Sequence, residues 1–136
     1  LLADGIVVDW QPANVLPAIN GHQDQLRSLF KHLIDNAIQA LNESGQPHRE
    51  LRIATRFVDQ AVEVEIQDNG PGIPAAQRYA VFEPFYSGWR HRRGRAGMGL
   101  ALSQEIVNLH GGSIEIDPSF REGCRIRLSL MAAAED

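Results

Sequence analysis

The chain has 136 residues, 43% of them hydrophobic and 22% charged, with a formal net charge of −4. One domain of ordinary size is expected, large enough to bury a core, and a single cysteine, Cys124, excludes an internal disulfide and a cysteine-based zinc cluster. No apolar run approaches the ~20 residues a membrane-crossing helix needs, no signal-peptide pattern opens the chain, and the acidic balance argues against a broad nucleic-acid-binding face.

The chain opens at Leu1 without an initiator Met, as expected of a piece of a longer protein. Residues 5–9 read as a short strand, followed by a Pro-punctuated stretch to Pro17. The clearest helix comes next. Leu26, Leu29, Phe30, Leu33, Ile34, Ala37, Ile38 and Leu41 repeat at steps of three and four and make one apolar stripe. Asn20 or Asp24 is expected to cap its start, and Asn42-Glu43-Ser44-Gly45 to end it. His32, Asn36 and Gln39 share a second face beside that stripe. The only lysine, Lys31, lies in this helix with no glycine before it and no Ser or Thr after it. A P-loop and a eukaryotic-type protein kinase are therefore excluded.

Leu51, Ile53, Thr55 and Phe57 alternate with Arg52, Ala54 and Arg56, and Val62, Val64 and Ile66 alternate with Glu63, Glu65 and Gln67. This period of two, across a turn at Asp59-Gln60, predicts an antiparallel hairpin with one buried face and Arg–Glu pairs on the other. Asp68-Asn69-Gly70-Pro71-Gly72-Ile73-Pro74 then breaks regular structure. Residues 75–81 read as a short helix and 84–99 as a mobile loop holding four glycines. Four of the twelve arginines fall within Arg90-His91-Arg92-Arg93-Gly94-Arg95, and without them the remainder of the chain stands at −8. The pattern predicts a helix over 100–109 with Leu102, Ile106 and Leu109 inward and Gly111-Gly112 as its C-cap. A last hairpin over 113–117 and 124–130 places Ile114 and Ile116 opposite Ile126 and Leu128, and 132–136 read as a frayed tail. Helices interleaved with hairpins favour an α+β fold, a two-layer sandwich with its sheet covered on one face, over a parallel doubly wound sheet.

Several segments carry chemistry. Asp68-x-Gly70-x-Gly72 follows a strand; glycine lets a ligand approach the backbone, and the carboxylate can accept from an exocyclic amine or orient a water. Taken alone it is also an ordinary Gly-Pro turn. Gly97-Met98-Gly99-Leu100 opens a helix, where backbone N–H groups and the dipole favour an anion. Taken alone it is also a hinge, and it is not the dinucleotide fingerprint. His32 and Asn36 stand one turn apart and offer a nitrogen and an oxygen to a hard metal that keeps waters and binds phosphate; such a pair is also common on solvated surfaces. Arg90, Arg92, Arg93 and Arg95 can meet phosphate oxygens as forks, or form a solvated loop.

The order of these segments resembles the nucleotide-binding family that joins DNA gyrase, Hsp90, sensor histidine kinases and MutL, and within it the ATP-binding domain of sensor histidine kinases. Leu33-Ile34-Asp35-Asn36-Ala37 is similar to the N box, Asp68-Asn69-Gly70-Pro71-Gly72-Ile73 to the first glycine box, Phe82-Glu83-Pro84-Phe85-Tyr86 to the F box and Gly97-Met98-Gly99-Leu100 to the second glycine box. His110-Gly111-Gly112 and Gly123 match as well, so the resemblance covers almost the whole chain, 1–131. It implies a Bergerat-type sandwich with a mixed, mostly antiparallel sheet, binding ATP or ADP with Mg²⁺. Asp68 is then expected to bond the adenine amine, Gly70 and Gly72 to admit the base, and Ile73 to lie against it. Asn36 is expected to ligate Mg²⁺, with His32 beside it as the candidate catalytic and metal-side residue. Gly97, Met98, Gly99 and Leu100 are expected to hold phosphates. Tyr86 is expected to join the nucleotide site, and Arg90, Arg92, Arg93 and Arg95 to act from a lid over 85–96.

The sequence departs from the family pattern at three places. His32 replaces the first N-box Asn, as in the chemotaxis kinase, Gln39 stands where a Lys or Arg is common, and Arg95 replaces the first glycine of its box. The resemblance implies phosphoryl transfer to a histidine on a separate upstream dimerisation hairpin; His22 matches no acceptor motif. It further implies a homodimeric parent, a cytoplasmic location, a response regulator as partner and no direct nucleic-acid contact. A second reading takes residues 96–103 and 120–125, which resemble the nitrogen-fixation regulatory type NifL. It makes the domain an ADP sensor without kinase activity that controls a transcriptional activator. A gyrase-type ATPase is disfavoured, because that group uses a Glu at the place of His32 as general base.

Overall fold

The computed structural model describes residues 2, 3, 5–12, 21, 23–72, 100–117, 119, 120 and 122–131. The expected helix over 75–81, the loop 84–99 and the tail 132–136 lie outside them, as do Asn20 and His22.

The apolar stripe after residue 23 forms one long helix, α1 (Gln23–Glu43). Leu29, Leu33, Ala37, Ala40 and Leu41 are buried along it, and Leu26, Phe30, Ile34 and Ile38 pack half-buried on the same core. Each fully buried leucine contributes about 1.5–3 kcal/mol of apolar burial. Asp24 sits within the first turn, where its charge favours the helix dipole, and so is not the residue preceding the helix. Ser44 ends it by donating from both N–H and Oγ to the Leu41 carbonyl, and Gly45 leaves the helix at φ +71.

Six strands form one sheet in the order β1-β2-β3-β4-β6-β5, with β1 (Leu2–Ala3), β2 (Ile6–Gln11), β3 (Glu50–Val58), β4 (Ala61–Asp68), β5 (Ser113–Ile116) and β6 (Cys124–Met131). Only β2 and β3 run parallel, joined through α1; the other neighbours are antiparallel. The first strand is thus longer than 5–9 suggested and gains a two-residue partner. In the β3–β4 hairpin, Asp59 and Gln60 both take positive φ, the two-residue turn that matches strand twist. Arg56 and Glu63 face each other there at 2.6 Å, an exposed pair worth a few tenths of a kcal/mol to about 1. Burial fades along β3 toward that turn, so Phe57, expected inward, is 43% exposed.

The second described helix, α2 (Ala101–Leu109), corrects the expected phase. Ile106 is buried as expected, but Leu102 and Leu109 are 62% and 68% exposed. The buried line is Leu100, Ser103, Ile106, Val107 and His110. Of its polar members, His110 brings Nδ1 within 2.7 Å of the Ile106 carbonyl oxygen. The helix ends as expected. Gly111, at φ +68, donates to Asn108, and Gly112 donates to Val107, a Schellman arrangement.

Val62, Val64 and Ile66 of β4 and Cys124, Ile126, Leu128 and Leu130 of β6 point to the helices, which pack on each other and on the sheet. Glu63, Glu65, Gln67, Arg125 and Arg127 point the other way. The result is the expected α+β two-layer sandwich, with a mixed, mostly antiparallel sheet covered on one face among the described residues. On the open face, Asp117 accepts from Arg125 at 3.0 Å and from Arg127 at 2.9 Å, and Arg127 also meets Glu65 at 3.4 Å.

Candidate functional site

The site forms where the central strand β4 ends. Asp68, its last residue, pairs in register with Leu51 of β3 and with Cys124 of β6, and is 5% exposed. Its Oδ1 accepts the Gly70 N–H at 2.9 Å, and the Cys124 backbone N–H also donates to the carboxylate. Burial pushes the carboxyl up to about 6, only partly offset by those two bonds. A buried carboxylate of this kind gains most from a ligand donor that replaces lost water.

Glycines weld the turn beyond it to its surroundings. A Cβ on Gly70 would lie 3.0 Å from Asp68 Oδ1 and 3.6 Å from Leu41 of α1. Gly72 has φ +77, and a Cβ there would lie 2.8 Å from the Gly123 carbonyl oxygen. A Cβ on Gly123 would run into the Asp68 carbonyl oxygen. The start of β6 and the turn after β4 are therefore in backbone contact.

Asn36 lies one turn before Ala40, whose backbone carbon would stand 3.9 Å from a Cβ on Gly70. It is 8% exposed, and its Nδ2 meets His32 Nε2 at 3.3 Å. The same amide carries an oxygen, the ligand type that suits a hard cation. Mg²⁺ is commonly held by one or two protein oxygens plus waters and substrate phosphates, so a single amide oxygen fits it. Among the described residues no group of three or more His, Cys, Asp and Glu is placed to hold a metal by itself. Gln39 donates to Glu43 at 3.4 Å. Leu100 is fully buried at the start of α2, and the helix has no side-chain cap there.

The turn Asp68–Gly72 thus lies beside the Ala40–Leu41 end of α1, the helix that carries His32 and Asn36 in its preceding turns. Ile73, Tyr86, Gly97, Met98, Gly99, Arg90, Arg92, Arg93 and Arg95 lie outside the described residues. Two contributors escaped the sequence reading as site residues. Asn69 is tied by both ends of its amide to 48–50, and Gln46 reaches its carbonyl oxygen at 2.8 Å. An Asn directly after a strand, followed by Gly, was the available signal for the first.

Residues 21–134 match the family model for histidine kinase-, DNA gyrase B- and HSP90-like ATPases. The chain is 36% identical over 115 residues to the alginate biosynthesis sensor protein KinB of Pseudomonas aeruginosa, covering 85% of this chain and 18% of KinB. It is 37% identical over 119 residues to the sensory histidine kinase/phosphatase NtrB of Vibrio alginolyticus, covering 80% of this chain and 32% of NtrB. It thus spans a minor part of these relatives. Among solved structures, the mycobacterial sensor histidine kinase MprB superposes with a TM-score of 0.78 at 25% identity, over 96% of this chain and 85% of that one. The catalytic domain of the histidine kinase ThkA gives 0.80 at 21%, over 96% and 82%, a likeness of fold. The expected Bergerat-type sandwich is the fold these structures share with this chain.

Proposed function

Because this chain belongs to the histidine kinase-, DNA gyrase B- and HSP90-like ATPase family, we propose that it is the nucleotide-binding catalytic domain, over 1–131, of a sensor histidine kinase. The observation that carries the reading is Asp68, a buried carboxylate at the end of the central strand with a glycine-lined turn beside it. Ionised, it accepts from the exocyclic amine of adenine, while Gly70 and Gly72 admit the base and Ile73 and Tyr86 flank it. Asn36 offers its amide oxygen to Mg²⁺, and His32, bonded to that amide, orients it and is the catalytic candidate. Bound Mg²⁺ would neutralise charge between the phosphates. Gly97, Met98, Gly99 and the backbone at Leu100, with Arg90, Arg92, Arg93 and Arg95, take the phosphate oxygens of ATP or ADP. In such a transfer the protein supplies positioning and charge stabilisation.

In the longer protein the γ-phosphoryl goes to a histidine on an upstream dimerisation hairpin of a homodimer. From there it passes to a response regulator or transcriptional activator in the cytoplasm, with no nucleic acid bound by this domain. No described helix is long and apolar enough to cross a membrane. Calorimetric titration of ADP and ATP with Mg²⁺ tests the binding. Asp68→Asn and Asn36→Ala should each weaken it at least ~10-fold, since each removes a charge-assisted or metal contact. Equal binding by wild type and Asp68→Asn overturns the adenine assignment.

One observation favours a second reading, a NifL-type ADP sensor without transfer. Gln39, at a place where the family commonly carries a cation, donates to Glu43. Labelled ATP given to the longer protein separates the two: retained phosphohistidine rejects the sensor-only reading.

A further inference from the structure

The loop between α1 and β3 does more than connect them. Ser44 Oγ donates to the Leu41 carbonyl at 2.6 Å and accepts the Gln46 N–H at 3.2 Å. Gln46 Nε2 donates to the His48 carbonyl at 2.9 Å and to the Asn69 carbonyl at 2.8 Å. Asn69 returns the link with four of its groups engaged: its Oδ1 accepts the Glu50 N–H at 2.7 Å, its Nδ2 donates to His48 at 3.2 Å, and its N–H donates to the Glu50 carbonyl at 3.2 Å. A continuous hydrogen-bonded path therefore runs from Leu41 of α1 to the residue between Asp68 and Gly70. A Cβ on Gly70 would stand 3.6 Å from Leu41 Cδ2, so the turn lies beside the same end of the helix.

This path ties the C-terminal end of α1, the helix that bears Asn36, to the residue next to the carboxylate ending β4. A ligand that spans both needs each held within about 0.5 Å. We propose that Gln46 and Asn69 are positioning residues that set Asp68 against α1 and thereby sharpen selection of adenine over guanine. The inference rests on the nucleotide reading above. Adenine presents an amine donor where guanine presents a carbonyl oxygen, so a carboxylate rejects guanine only while it is held at bonding distance. A carboxylate free to retreat loses the bond and the rejection together.

The test is the ratio of dissociation constants for GDP and ADP, measured by calorimetry on this chain with wild type, Asp68→Asn, Gln46→Ala and Gln46→Glu. Gln46→Glu keeps the shape and removes the donor. Wild type should favour ADP at least ~10-fold, and Asp68→Asn should lose most of that preference. Both Gln46 variants should narrow the ratio ~3–10-fold, mainly through weaker ADP binding. A wild-type ratio in either variant, or equal weakening of ADP and GDP as a merely structural role would give, overturns the inference while leaving the site reading intact. A wild type without preference for ADP overturns both.

Discussion

Asp68 and Asp117 are both nearly buried, yet their carboxyls move in opposite directions. Burial dominates at Asp68 and pushes it up to about 6. At Asp117, bonds from the Ser119 hydroxyl and N–H dominate, helped by Arg125 and Arg127, and hold it down at about 2. The signs follow from proton linkage. Asp68 contributes stability that is fully present below about 3.8 and is lost as pH rises through about 6. Asp117 contributes stability that is present above about 3.8 and is lost as pH falls through about 2. Urea titrations across pH 2.5–7.5 should show Asp68→Asn gaining on wild type between pH 4 and 7, by up to about 3 kcal/mol. Asp117→Asn should fall behind wild type as pH rises from 2.5 to about 4, with a constant deficit above that. A pH-independent gap in either variant contradicts the assignment. Asp68 was legible as a site residue because a carboxylate, two glycines and a strand end coincide in sequence. The roles of Asn69 and Gln46 were not, because an amide reads the same whether solvated or bonded to a loop far along the chain.

At the scale of elements, α1 was readable because its stripe is strongly apolar and unbroken. In α2 the same reasoning chose the wrong face. Leu102 and Leu109 outweigh Ser103 and His110 in hydropathy, yet the small serine and the self-bonded histidine are the ones buried. Leu102→Gln and Leu109→Gln should therefore change stability by less than about 0.5 kcal/mol. Ile106→Ala should cost about 2–4 kcal/mol, measured in the same denaturation series. The C-cap offers a second contrast. A Cβ on Gly112 would run into the Ser129 carbonyl oxygen of β6, so Gly112→Ala must displace a strand and should cost more than about 3 kcal/mol. Gly45 also has positive φ, +71, but nothing stands within 4 Å of its Cβ position. Gly45→Ala should cost only about 1 kcal/mol, the backbone penalty alone. Thermal melts of the two variants decide whether close approach or conformation sets the glycine requirement.

For the whole molecule, the two-layer architecture was legible from the alternation of helices and hairpins, but the strand order was not. The hairpin partners β3–β4 and β5–β6 follow from short turns. The parallel β2–β3 pair and the insertion of β6 beside β4 are long-range choices that no local pattern encodes. That insertion matters to the site, since Gly123 and Cys124 close one side of Asp68 from the far end of the chain.

The same strand order bears on how the chain is made. β4 is complete at Asp68, but its second neighbour opens only at Cys124. Until then β4 is an unpaired edge whose Val62, Val64 and Ile66 form an apolar row, the kind of template on which chains join each other. A chain cut after Gly112 is expected to self-associate in light scattering at micromolar concentration, where the 136-residue chain stays dispersed. The hairpin that closes the site is then also the one that ends the molecule's exposure to its own copies during synthesis.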